Sequence, residues 1–508
     1  MSSRPCAWLS TRTARLVVVA AILALNALAF EYLDDSALPF PTQSRKDASG
    51  FSFERARKFH YFHYHLGYFP LASLNADLVD SREGAEHELA ARGHDLVMEH
   101  EHWSRLGESA RIWAFLPNAW LHRSTESPSI RPFNALCFLA GVLALYLGLF
   151  RAGRAVLGLA LVSVIHSTPY FWREVYGREN IFGLAGSALF LAVGLVAPFA
   201  IGGARGFRER SDSWPERWAR SLRPGAAAAL VGLLVGLFAE VRNEVAAVIA
   251  APLFLLVTAP RPARERLVVA AVTLGAFLGC RAAIRAHFEH EWARTSALVG
   301  SLGGHVYTGA RIPGHRLWHA VFCGLGDFGA DRGYAWDDRV AYAHAVPKLR
   351  DGLGMKLVYT GGYHLEQYYD DAKLYYVKFD ELDEYEAVMK QEVLTVVSKN
   401  PGWFVSILAR RVVAMLTTTA PFPGAGWLLP PLLVVSLLRR RFREVRLLVA
   451  SLALSAPTLL IYSGSGATYG SVFPIFALAC LAAWPFEGGG TKAPSPELRV
   501  TVPWRDRR

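Results

Sequence analysis

The chain has 508 residues, of which 52% are hydrophobic and 19% charged, with a formal net charge of +11. Water-soluble globular chains average about 45–50% apolar and about 25% charged residues, so this balance argues against an ordinary soluble protein and points to the membrane. The five cysteines are too scattered for a disulfide framework and show no metal-type spacing, and the basic residues collect in loops between apolar runs, which accounts for them without nucleic acid.

Apolar runs near or somewhat short of the roughly 17–25 residues that span a bilayer occupy Leu16–Phe30, Phe133–Phe150, Val156–Trp172, Ile181–Ile201, Ala226–Ala239, Val245–Ala259, Leu267–Ile284, Trp427–Leu438, Leu447–Tyr462 and Ser471–Trp484. The expected fold class is therefore an all-α polytopic membrane protein with about ten transmembrane helices. Ala27-Leu28-Ala29 resembles a signal-peptide cleavage site, but the many later spans make a retained anchor the more economical reading.

Lys and Arg cluster in "RTAR" near the N-terminus, "RAGR" at 151–154, the stretch 206–225, "RPARER" at 261–266 and "RRRFREVR" at 439–446. The positive-inside rule assigns these to the cytoplasm. The expected organisation is then an N-terminal segment and first span (1–30), a first extracytoplasmic loop (31–132), a helix bundle (133–285), a second extracytoplasmic loop (286–424), C-terminal spans (425–485) and a cytoplasmic tail (486–508). Two loops this long on one face make that face the working one, because most connections are only a few residues long. The expected orientation puts this working face outside the cytoplasm.

In chain order, the first run passes straight into "NALAFEYLDDSALPFP", which places Glu31, Asp34 and Asp35 at the membrane boundary. A solvated cap after a span would look the same, and so would the start of a site working at the surface. Next, "FHYFHYHLGYFPLASLNADL" clusters His60, His63 and His65 among aromatic rings. Such a run suits an aromatic face on the membrane surface or a substrate-binding face, and it matches no fixed ligand motif, so no metal site is assigned.

The outer turns carry charge where the topology bias disfavours it: Arg173, Glu174, Arg178 and Glu179 between two spans, and Glu240, Arg242 and Glu244 between two others. Glu174 and Arg178, at i and i+4, would also pair on a helix end. The functional reading is an anionic head group, with a lipid phosphate as the natural guest for the planar arginine fork.

In the second outer loop, "GHRLWHAVFCGLGDFGADRGYAWDD" and "GGYHLEQYYDDAKLYYVKFDE" combine Trp and Tyr with Asp and His. Trp318 and His319 suit stacking on sugar rings and bonding their hydroxyls, or interfacial anchoring. The apolar spacing Tyr385, Val388, Met389, Val393 and Val396 predicts an amphipathic helix ended by Asn400-Pro401. The following "WFVSILARRVVAMLTTTAPF" would place Arg410 and Arg411 mid-membrane at a few kcal/mol each, so an interfacial helix is expected there. Mid-depth ionisable residues, which ion-coupled transport normally needs, are few.

This layout resembles the type C glycosyltransferases, polytopic enzymes that take sugar from a polyprenyl-phosphate donor. The resemblance lies in the acidic "EYLDDSAL" after the first span, a large first outer loop, charged outer turns and a late outer loop. It implies inverting transfer to an extracytoplasmic glycan, lipid or protein acceptor, with Asp34 or Asp35 as the base. It also implies donor-phosphate contacts from Arg173, Arg178 or Arg242, supported by Glu174, Glu179, Glu244 and Tyr469. The implied partners are membrane lipid, the donor and the acceptor, and the implied location is a bacterial plasma (inner) membrane, with the active face outside the cytoplasm in the cell envelope. A divalent cation such as magnesium or manganese bridging an aspartate to the phosphate stays open. In the last outer loop, "GSGATYGSVFP" has Thr468 before Tyr469 where many family members have a basic residue. A transporter or flippase for a lipid-linked or anionic substrate, or a non-catalytic membrane scaffold, is the alternative.

Overall fold

The computed structural model describes residues 12–32, 131–168, 172, 175, 183–202, 214–241, 243–303, 317–328, 332–359, 361, 365–370, 373–377, 382–417, 424–455, 459, 461 and 472–487. They form a predominantly helical protein with two separate apolar cores, one in a helix bundle and one in a smaller unit spanning 317–417.

The bundle opens with α1 (Arg12–Tyr32), α2 (Arg131–Arg151), α3 (Ala155–His166), α4 (Gly183–Ala200) and α5 (Trp214–Val241). A 3₁₀ segment, Asn243–Ile249, leads into α6 (Ala250–Val257), and α7 runs from Ala263 to Ser301. Among the described residues, three helices are long and apolar enough to cross a membrane, namely Thr13–Glu31 in α1, Phe133–Arg151 in α2, and α7. Six shorter apolar helices accompany them among the described residues.

Lipid chains are as apolar as leucine, so such helices associate through close packing rather than through a hydrophobic drive. Small residues provide it here. A Cβ on Gly148 would overlap the Gly194 carbonyl, and one on Gly141 would lie 2.7 Å from the Ser187 carbonyl oxygen, so α2 and α4 run parallel in backbone contact. In the same way Gly232 meets Thr273, and Gly236 meets Phe277 and Cys280. The constant offset along both chains makes α5 and α7 a second parallel pair.

The ends that the charge bias assigns to the cytoplasm converge. α12 (Leu429–Leu438) is followed by α13 (Phe442–Ser451), whose Arg446 donates to the carbonyls of Ala200 and Thr258, each at 2.9 Å. Its neighbour Glu444 lies 3.7 Å from Arg154. Residues from four loop-side helix ends, read from sequence as one side, thus meet at one end of the bundle.

The smaller unit contains α8 (Leu317–Gly324), α9 (Asp338–Pro347), α10 (Asp383–Lys399) and α11 (Pro401–Thr417). Helix α10 buries Tyr385, Met389, Val393 and Val396, the face that the apolar spacing predicts, and Asn400-Pro401 follows its end. Its exposed side carries Glu392, which pairs with Lys348 and, at 3.2 Å, with His344. In an otherwise helical protein, the smaller unit also holds a short antiparallel sheet of β1 (Leu357–Val358), β2 (Leu365–Asp370) and β3 (Lys373–Val377). Leu365 pairs with Val377 and Gln367 with Tyr375, and a bulge lies between Tyr368 and Asp370. "LEQYYD" and "KLYYV" are rich in tyrosine with an aliphatic residue, a composition that favours strands.

Helix α11 carries the two arginines that would be costly inside a bare span. Arg411 is 2% exposed. It pairs with Asp327 at 2.8 Å and donates to the carbonyls of Gly324 at 2.6 Å and Leu459 at 2.9 Å. Arg410 sits over the Phe328 ring, 4.3 Å from its centroid. The smaller unit is thereby tied to the segment after α13. The last bundle helix is α14 (Val472–Glu487).

Candidate functional site

The parallel packing of α5 on α7 sets up a charged cluster at their C-terminal ends. One helical turn past the Gly236 contact, Glu240 closes α5 and faces Arg281, which is one turn past Phe277. The Arg281 Nε donates to Glu240 Oε1 at 2.6 Å, and the Arg285 Nε reaches the same oxygen at 3.1 Å. Arg281 and Arg285 are four residues apart on one face of α7. Glu240 is nearly sealed, with 2% of its side chain exposed, whereas Arg285 keeps 48% exposed. Two guanidinium groups thus converge on one buried carboxylate oxygen, and the outer arginine still presents donors to solvent. Charge-assisted donors in this planar arrangement are well suited to a phosphate or phosphodiester.

At about 1.5 Å per residue, α7 is about 58 Å long against a hydrocarbon thickness of about 30 Å. Its apolar stretch ends at Cys280, and Arg281, Arg285, His287 and Glu291 follow, so the cluster stands where the helix leaves its apolar portion. The sequence expectation ended this span at Ile284, but the helix continues unbroken to Ser301.

The C-terminal part of α1 belongs to the same end of the bundle. Asn26 donates to the Ile22 carbonyl at 2.8 Å and lies 3.1 Å from His166 Nε2. The Trp172 indole N–H donates to the His166 carbonyl. This polar tie fixes the C-terminal part of α1 against the end of α3.

Most of the residues singled out from sequence lie outside the described residues: Asp34, Asp35, His60, His63, His65, Arg173, Glu174, Arg178, Glu179, Arg242 and Tyr469. Glu244 falls in the 3₁₀ segment Asn243–Ile249, but its side chain is also outside them. Trp318 and His319 are described. The Trp318 backbone N–H bonds Glu386 at 3.0 Å, and Lys390 lies over its ring, 6.0 Å from the centroid. The expectation for His319 is corrected: it is 2% exposed, bonded to the Tyr385 hydroxyl at 2.6 Å and to Asp338 at 3.3 Å, so its ring belongs to the core and offers no face for a sugar.

Arg281 and Arg285 were not singled out, because hydrophobicity alone absorbs Arg281 into the end of an apolar run. The signal that finds them is the i, i+4 arginine pair opposing the positive-inside bias, the same signal that drew attention to Arg242. In comparisons with known proteins, no family model, no curated protein and no solved structure matches this chain.

Proposed function

We propose that this protein is a membrane glycosyltransferase that takes a sugar from a polyprenyl-phosphate donor and transfers it, with inversion, to an acceptor outside the cytoplasm. The observation that carries the reading is the convergence of Arg281 and Arg285 on buried Glu240 where α7 emerges from its apolar portion. Arg242, two residues beyond Glu240 in the sequence, is a further candidate for the phosphate and lies outside the described residues. Glu240 holds Arg281 in place, and Arg285 and Arg242 engage the donor phosphate and stabilise its charge as it leaves.

Asp34 or Asp35, which follow α1, accepts the proton of the acceptor hydroxyl as the new bond to the anomeric carbon forms. The lipid tail holds that carbon at the membrane surface, which is why the carboxylates belong at the boundary. The ten-span topology and the bacterial plasma-membrane location belong to this same reading. The stretches 16–30, 133–150, 184–200, 225–239 and 267–280 contain no Asp, Glu, Lys or Arg, which favours chemistry at the surface over passage of a charged substrate through the middle.

The test is replacement of Asp34 and Asp35 by Asn in the source cell. Loss of one glycan modification with normal membrane insertion is the expected result. An unchanged glycan profile overturns the catalytic role.

A further inference from the structure

The smaller unit contains a second cluster that the proposed transfer reaction does not use. His319 and Cys323 are four residues apart on α8 and so share one face of it. Opposite them stands Asp338, in the first turn of α9. One ligand atom from each of the three lies within 4.8 Å of the others. His319 Nε2 is 3.3 Å from Asp338 Oδ1 and 3.8 Å from Cys323 Sγ.

The two separations from His319 Nε2 match the edges of a metal tetrahedron, and the third, between Cys323 and Asp338, is within 4.8 Å. Ligand atoms about 2.0–2.3 Å from a four-coordinate zinc stand roughly 3.3–3.8 Å from one another. The surroundings also resemble those of metal sites. The other ring nitrogen of His319, Nδ1, lies 2.6 Å from the Tyr385 hydroxyl, a contact that turns Nε2 toward Asp338 and Cys323. The neighbouring Asp337 is engaged elsewhere: it caps α9 by accepting from the Arg339 backbone and holds the Arg339 side chain at 2.7 Å. Asp338 keeps 28% of its side chain exposed while His319 is sealed, so the approach is from the Asp338 side. A thiolate among the ligands selects zinc over magnesium, calcium or manganese.

We infer that His319, Cys323 and Asp338 form a zinc site that clamps α8 to α9, with water completing the tetrahedron on the open side. Binding expels the Cys323 thiol proton, because the thiolate is the ligand. The inference does not depend on the glycosyltransferase reading.

The test uses the full-length protein purified in detergent without chelator, with metal content measured by mass spectrometry. About one zinc per chain is expected, and Cys323→Ser and Asp338→Asn, both close in shape to the native residues, should each lower zinc affinity at least about tenfold. Cobalt added to the zinc-stripped wild-type protein should give a thiolate-to-cobalt absorption band that Cys323→Ser lacks. That readout needs no variant to establish binding at a thiolate. Failure to bind zinc or cobalt overturns the proposal, as does stoichiometric zinc that both substitutions leave unchanged, which would place the metal elsewhere.

Discussion

Arg411 and Asp327 form an ion pair with only 1% and 3% of their side chains exposed, and the remaining donors of the guanidinium go to the carbonyls of Gly324 and Leu459. The pair joins α11 to the turn after α8, and the Leu459 bond extends that junction to the C-terminal part of the bundle. Removing one partner leaves a buried charge uncompensated. Asp327→Asn is expected to destabilise the protein by about 3–5 kcal/mol, whereas replacing both residues with apolar ones of similar volume should lose less. Thermal unfolding in detergent, followed by protease sensitivity between residues 317 and 417, checks both.

The glycine contacts between α5 and α7 make a sharper prediction, because they separate packing from composition. A Cβ at Gly232 would overlap the Thr273 carbonyl, while one at Gly275 meets nothing within 4 Å. Gly232→Val should therefore cost about 1–3 kcal/mol and loosen the Glu240–Arg281 contact one end of the helix pair depends on. Gly275→Ala should be neutral or stabilising by up to about 1 kcal/mol. Equal effects of the two substitutions in a thermal-shift assay would contradict the close parallel packing.

Glu392 gives a pH dependence. Burial pushes its carboxyl up, but hydrogen bonds and charge from Lys348 and His344 outweigh burial, so its pKa lies below the ordinary glutamate value. A depressed folded-state pKa contributes stability that is present above the unfolded value of about 4.3 and is lost as the pH falls through the folded value. With Lys348 42% exposed, solvent screening keeps the contribution below about 1 kcal/mol. Wild type should be slightly more stable than Glu392→Gln at pH 7, and the difference should vanish as the pH falls below about 4. Stability measured against pH for the two proteins tests this.

The parts of the fold legible in sequence were those that depend on one-dimensional pattern. Apolar run length located helices α1, α2 and α7, and the spacing of Tyr385, Met389, Val393 and Val396 identified the buried face of α10. The loop charges of Arg154, Glu444 and Arg446 marked helix ends that do meet. Contacts between distant segments left no such pattern. Arg281 reads as the tail of an apolar run until Gly236 brings Glu240 beside it. His319 reads as a surface residue in an aromatic loop until Tyr385, 66 positions later, buries it. The zinc ligands escape a motif search for the same reason, since two come from one helix and the third from the next. The tyrosines of β2 and β3 offer rings for stacking and carry a strand preference in the same letters.

Arg281 and Arg285 should differ in what they contribute to the proposed donor site. Arg281 is largely buried against Glu240 and positions the cluster, so Arg281→Lys, which loses the planar fork, should impair both stability and donor binding. Arg285 is half exposed, so Arg285→Ala should weaken donor binding about tenfold with little change in thermal stability. Parallel melting and lipid-binding titrations with a polyprenyl phosphate distinguish the two roles.

Whether this end of the bundle holds a polyprenyl phosphate can be read by native mass spectrometry of the detergent-purified protein. The wild-type protein should retain a polyprenyl-phosphate lipid, and that lipid should be lost when Arg281 and Arg285 are both replaced by Ala, with or without Arg242→Ala. Only ordinary phospholipids in the wild type, with binding unchanged by the substitutions, would mean that Arg281 and Arg285 hold no donor phosphate.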